Sequence, residues 1–502
     1  MRPSTFGRLA VSGTRTDALR LALTAFGAAL ATLGWLCAAT VAALGFAGAD
    51  LGGDGNNMGY TSDLLRQPGL RPGVVATFIL LTIPVLAFVA QCSRLGAPAR
   101  DRRIAAIRLA GATPRQAIVI GAGEAGVSAL GGSGLGTAAY FAARRLLDHV
   151  NAAGQRALPT DVLPKIWVIV VIVLALPVVV TVLSGWLLRQ ISTSPLGVVH
   201  RVRRRRPPRP WPGVLIIAGV ALFAVIEPLT QLASRHGVDV SETATVAIVY
   251  VGVLSAATGV ALGAGWISHT AGRLLRRFGR TATSELAGGR MIADPWQGSR
   301  TFGVLTVAAI FGGGTVGALQ YFATLAVSQD RENHLVSVAL HQPFVAAPDE
   351  SYTGPTRLVA IAVGLAVVIG ALGQLVSLSE AIVSRRRTYA ALVATGVPRS
   401  ILARTQIWQT VTVAVPALVL ATATGLLVIR FLFGTTVSSG GSGVQTDGGT
   451  IIDIPSVEAH VPVPWLHLGV VVGGSIDAVL VTAAISLLFI KSSTSVEELR
   501  TA

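Results

Sequence analysis

RRIAAIRLAGATPR at residues 102–115 returns as RRTYAALVATGVPR at residues 386–399. Each copy opens on a basic pair, Arg102-Arg103 in the first and Arg386-Arg387 in the second. About two helical turns with an apolar stripe follow, and each stripe ends at a glycine, Gly111 or Gly396. Pro114-Arg115 and Pro398-Arg399 then lead into the next segment. This pattern predicts a short helix lying along a membrane surface, closed by a glycine C-cap, with proline blocking its continuation.

Working outward, both copies sit between long apolar runs. A helix needs about 20 apolar residues to cross the hydrocarbon core. Ten segments qualify or nearly do: Leu21–Ala47, Val74–Ala90, Ala117–Ala143, Ile166–Leu188, Val214–Leu232, Ala244–Ile267, Phe302–Ala326, Leu358–Leu378, Ile407–Ile429 and Leu466–Ile490. Over 502 residues, 52% are apolar and only 13% charged. A soluble chain carries about twice that charge, so a soluble enzyme and a disordered protein are both excluded. The first run follows Arg2, Arg8, Arg15 and Arg20 as a signal peptide would. It is far longer than an h-region of about 7–15 residues and reads as an uncleaved anchor.

Charge orients the spans. The net charge is +16, and thirty of the 40 basic residues fall on the face that holds residues 1–20, 91–116, 189–213, 268–301, 379–406 and 491–502. The positive-inside rule makes that face cytoplasmic and places both termini there. Only the segment 144–165 departs, with Arg144, Arg145, Arg156 and Lys165 outside. The run Arg201, Arg203, Arg204, Arg205 and Arg206 lies on the inner face. It reads as an anchor on anionic lipid, at about 1 kcal/mol per basic residue, and not as a nucleic-acid site.

The repeat extends beyond the two segments. Ser192-Thr193-Ser194 follows the fourth span and Ser493-Thr494-Ser495 the tenth. The expected fold is an all-α polytopic membrane protein: a four-helix unit in 1–196, a basic loop with two connecting helices in 197–283, and a second four-helix unit in 284–502. An even number of connecting spans keeps the units parallel.

On these residues the sequence resembles the FtsX-like (MacB-type) permeases, membrane subunits of a class of ABC transporters, in their ten-helix form. A basic run, about eight helical residues, a glycine and Pro-Arg between the second and third helices of a unit carry the likeness. Members usually have an acid eight residues before the glycine, where this chain has Arg103 and Thr388. The outer segments 48–73, 327–357 and 430–465 are short beside the large outer domain of the better-known members. The resemblance implies that an ABC ATPase, two copies per chain, docks on Arg102, Arg103, Arg108, Gly111, Pro114, Arg115, Arg386, Arg387, Gly396, Pro398 and Arg399. Among these, Arg108, Arg115, Arg387 and Arg399 are expected to reach the partner.

The chain itself holds no chemistry of that kind. Walker A needs Gly-Lys-[Ser/Thr], and the only lysines follow Pro164 and Ile490. ATP and magnesium therefore belong to the partner, and no cofactor to this chain. Gly121-x-Gly123-x-x-Gly126 lies within an apolar helix, with Gly132 and Gly136 beyond it, and reads as close helix packing. No metal or hydrolytic motif occurs, and Cys37 and Cys92 suggest no disulfide. Intramembrane acids are functional candidates, because a charge at the bilayer centre costs at least about 2.5 kcal/mol. Glu124 and Asp477 are the two, with Glu227 near a span end. Two alternatives stay open: an ion-coupled transporter using Glu124 and Asp477, and a membrane regulator of an extracytoplasmic cell-wall hydrolase.

Overall fold

The computed structural model describes residues 15–50, 59–61, 65, 71–92, 109, 111–151, 154–192, 208–236, 242–340, 353–440, 443–445, 451–453 and 455–492. Its helices are α1 (Arg15–Asp50), α2 (Arg71–Cys92), α3 (Pro114–Leu146), α4 (Ile166–Ser192), α5 (Trp211–Arg235) and α6 (Glu242–Phe278). They continue as α7 (Ala282–Ala293), α8 (Trp296–Leu340), α9 (Thr353–Ser384), α10 (Arg386–Ala394), α11 (Arg399–Phe433) and α12 (Trp465–Ser492). Four short strands, β1 (Thr436–Ser439), β2 (Gly443–Gln445), β3 (Ile451–Asp453) and β4 (Val457–His460), precede α12. Among the described residues, nine helices are long and apolar enough to cross a membrane, and α5 has a shorter apolar stretch, Trp211–Ile226. The chain is an all-α, multi-pass membrane protein. The basic run Arg201–Arg206 lies outside the described residues, as does the side chain of Glu227.

Helices α1, α2, α3 and α4 pack on one another, and so do α8, α9, α11 and α12. The pairing is the same in both groups: first with second, third and fourth, third with fourth, and second with fourth. Small residues allow the first and third helices to approach. A Cβ on Gly132 or Gly136 of α3 would overlap the carbonyl oxygen of Ala25 or Ala29 on α1. In the other group Gly313 and Gly425 meet the backbones of α11 and α8 in the same way. Backbone contact of this kind is what small residues permit in a membrane. Gly126, by contrast, faces Thr181 of α4, so the glycines of α3 serve two neighbours.

The groups meet where α2 packs on α9. A Cβ on Gly373 of α9 would overlap the Gln91 side chain, and Val85, Phe88 and Cys92 share a core with Ile369 and Val376. Helices α5 and α6 pack against α11, and α6 also against α8, so both lie beside the second group.

The segment 268–301, expected as a loop, is helical. Here α6 runs on to Phe278, and α7 starts from Thr281, whose hydroxyl accepts from the Ser284 N–H at 3.3 Å. Such a cap supplies a partner to an otherwise orphan amide. Helix α8 has 45 residues and runs about 68 Å at 1.5 Å per residue, twice the hydrocarbon thickness. It also packs against the antiparallel pair β1–β4.

The outward basic residues of 144–165 have a local use. Arg144 donates to the carbonyls of Val162 and Thr160, and Arg156 to Asp148 at 3.2 Å. The Tyr60 hydroxyl donates to Asp161 at 2.6 Å, and the Arg156 N–H to the Gly59 carbonyl at 2.9 Å. Arg144 and Arg156 thus tie residues 59–61 and 148–162 into a cap on α3.

Candidate functional site

Helix α10 is the second paired segment. Gly396 has a φ of 92° and donates its N–H to the Val393 carbonyl at 3.0 Å. The Val397 N–H reaches the Leu392 carbonyl, also at 3.0 Å. These two bonds form a Schellman motif, and Val397 with Leu392 completes it by packing on Ile382, Tyr389 and Leu402. A Cβ on Gly396 would meet nothing within 4 Å. Conformation, not space, therefore requires glycine here. Pro398 is the N-cap of α11, and Arg399 begins that helix, exposed. The side chains of Arg386 and Arg387 lie outside the described residues.

In the first segment Gly111 has the same left-handed backbone, φ 95°, and the same open space. Arg102, Arg103 and Arg108 lie outside the described residues, while Leu109 is 90% exposed and Arg115 exposed. The helix that follows begins one residue earlier in the first copy, at Pro114 instead of at the position matching Arg399. Thr113 stands before Pro114 and forms a capping box with Gln116, with bonds of 3.3 and 2.9 Å. In the second copy Pro398 holds that place without a side-chain cap.

Sequence reasoning missed what holds α10 down. Arg290 of α7 donates to the Tyr389 hydroxyl at 3.1 Å and lies 4.9 Å from its ring centre. A guanidinium over an aromatic face adds a cation–π attraction. The capping pair Thr281-x-x-Ser284 was the readable signal for α7, but nothing in the sequence pairs Arg290 with Tyr389.

The two intramembrane acids are far from alike. Glu124 on α3 accepts from Arg20 of α1 at 3.0 Å, with side chains 7% and 5% exposed. Arg20, read as a flanking charge, is thus a buried partner. Asp477 is exposed on the outward side of α12, beyond the buried Ser475. The acids belong to different helix groups, and the structure does not bring them together.

A cavity of about 580 Å³ lies between α2, α6, α8 and α9, where the two groups meet. Ile83, Ala87, Leu254, Ala257, Val307 and Phe311 form its apolar wall. Polar side chains gather at one end: Gln91, Asp294, Gln297, Thr301, Glu380 and Arg385. These stand near the C-terminal ends of α2 and α9 and the N-terminal end of α8. Arg385 donates to the Gln297 side-chain oxygen Oε1 at 3.3 Å. The site is amphiphilic along its length.

The family described as FtsX-like permease C-terminal matches the chain over residues 74–195, which hold α2, the first paired segment, α3 and α4. No curated protein matches the chain.

Proposed function

We propose that this chain, an FtsX-like permease over residues 74–195, is the transmembrane subunit of an ABC transporter driven by a separate ATPase. The observation that carries the reading is the pair of glycine-ended segments. Gly111 and Gly396 share one unusual backbone conformation, and each stands between the second and third helix of a group with the same packing pattern. Each segment receives one ATPase subunit, so one chain takes two. The partner binds ATP and magnesium. Closure of its two subunits pushes α10 and its counterpart, and α3 and α11, which start directly after them, carry the motion into the bundle. The α2–α9 contact is where the groups flex. The transported compound is amphipathic or lipid-like, a reading supported by the amphiphilic cavity of about 580 Å³ at that contact.

The buried Arg20–Glu124 pair weighs against the ion-coupled alternative. Its carboxylate already has a fixed counter-charge at 3.0 Å, and Asp477 faces away on another group. The direct test is purification of the chain in mild detergent from its own cells, with any ABC ATPase that accompanies it identified. The two should elute together, and the chain alone should hydrolyse no nucleotide. An isolated chain that hydrolyses ATP, or an ATPase that never associates, would sink the proposal.

A further inference from the structure

We infer that the groove between α6, α7 and α11 is a binding site for one anionic diacyl phospholipid. The site goes beyond the transporter reading and does not depend on it.

The groove has a volume of about 700 Å³, within the 300–1,000 Å³ common for small-molecule sites. Its lining is mostly apolar, with Trp266, Leu274 and Phe278 from α6 and Trp408 and Pro416 from α11. All five are exposed, so the groove lies open to the bilayer along its flank. From Trp266 to Phe278 the lining runs twelve residues along α6, about 18 Å. One leaflet's half of the hydrocarbon core is about 15 Å deep. A single acyl chain can therefore lie along the groove, while its sister chain stays in the bilayer. Helix α7 packs on both α6 and α11 and adds Ser284, which lies against Gly279.

Charge gives the ligand its sign. Arg280 is the one charged side chain among the described lining residues. Arg277 holds its guanidinium 5.6 Å from the centre of the Phe278 ring, at the same end. Arg404 is exposed one turn before Trp408, on the same stripe of α11. The contact of Arg290 with Tyr389 sets the start of α11 beside α7, so Arg404 also stands at the end that Arg280 marks. Among the described residues, none of these three guanidinium groups has a hydrogen bond or an ion pair. Glu285, in the first turn of α7, is exposed and pairs with none of them. Guanidinium groups bind phosphate oxygens through charge-assisted, often bidentate bonds. Basic pockets between membrane helices take anionic headgroups in this way. A zwitterionic lipid brings a cation on its headgroup as well, which the same arginines repel.

The experiment uses the full chain purified in mild detergent, without ATPase, and compares dioleoyl phosphatidylglycerol with dioleoyl phosphatidylcholine. Native mass spectrometry should show one phosphatidylglycerol retained with at least tenfold preference. Glycerol phosphate, which lacks the chains, should not displace it at equal concentration. Phosphatidylglycerol with a diazirine on one acyl chain should label α6 between Trp266 and Phe278 and α11 between Trp408 and Pro416. Arg277→Gln, Arg280→Gln and Arg404→Gln together should bring retention down to the phosphatidylcholine level. Thr270→Phe, which fills the groove midway, should release the lipid with the arginines untouched. Equal retention of the two lipids, displacement by glycerol phosphate, or labels on other helices would each overturn the inference. Wild-type retention in both variants would do the same. The lipid comparison needs only the wild-type chain, so a variant that fails to fold leaves the test standing. Because no ATPase is present, a negative result here leaves the coupling proposal intact, and an ATPase that fails to bind leaves this site intact in turn.

Discussion

Gly396 isolates conformational strain from steric clash, since its φ is 92° and its Cβ position is open. Asparagine tolerates the left-handed region, whereas a β-branched residue does not. Gly396→Asn should leave ATPase binding near wild type. Gly396→Val, strained by about 1–3 kcal/mol, should misplace the end of α10 and weaken binding while membrane insertion stays normal. Co-elution of the ATPase with each variant reads this out, and equal binding by both would remove the glycine from the mechanism. The Arg20–Glu124 pair gives a second residue-scale test. Removing one partner of a buried pair strands the other charge, at about 3–5 kcal/mol. Glu124→Leu should lower the unfolding temperature in detergent clearly, and Arg20→Met with Glu124→Leu should recover most of the loss. A double variant as unstable as the single one would mean that the pair is not the unit. Glu124 was legible as an unusual acid because a charge in a 20-residue apolar run stands out. Its partner was not, because an arginine at a span end looks like any inner flank.

At the scale of elements, α10 is held by the Arg290–Tyr389 contact with α7 and by its own C-cap. Tyr389→Phe removes the hydroxyl acceptor but keeps the ring, so it should cost less than Arg290→Ala, which removes both contacts. Proteolytic nicking near residue 395 in nanodiscs should rise more for Arg290→Ala; no difference from wild type would deny the contact any role. The outer cap offers a pH test. Burial first, then the hydrogen bond to Asp161, raises the Tyr60 phenol well above its ordinary value near 10. A raised value means that the neutral form is favoured in the folded cap. That contribution is present below about pH 10 and is lost only as pH rises through the raised value. The Thr160 hydroxyl first, with Arg156 nearby, holds Asp148 below the usual carboxylate range, so its contribution fades in acid. Absorbance titration of the tyrosines should therefore be the same for wild type and Tyr60→Phe up to about pH 11. An earlier difference would place Tyr60 in water. The apolar helices were readable from hydropathy alone. Helix α7 and the outer strands were not, because a 12-residue helix rich in Gly and Ala and three- to four-residue strands carry too little periodicity.

For the whole molecule, the repeated segments led to an expectation of two four-helix units; α1–α4 pack on one another, and so do α8, α9, α11 and α12. The amphiphilic cavity was invisible in the sequence. Its wall draws on residues near 83–91, 253–262, 294–311 and 377–385, which only the packing of α2, α6, α8 and α9 brings together. Coupling between the two segments and a partner is the central claim, and nucleotide hydrolysis in the reconstituted complex tests it most directly. The ATPase that co-purifies would be assayed with wild-type chain, with Arg387→Glu and Arg399→Glu together, with Arg108→Glu and Arg115→Glu together, and with all four. Hydrolysis stimulated by the wild-type chain should fall at least tenfold when either segment is reversed in charge, because each serves one of two cooperating ATPase subunits. Four-fold reversal with stimulation at the wild-type level would contradict the account and leave both segments as surface anchors.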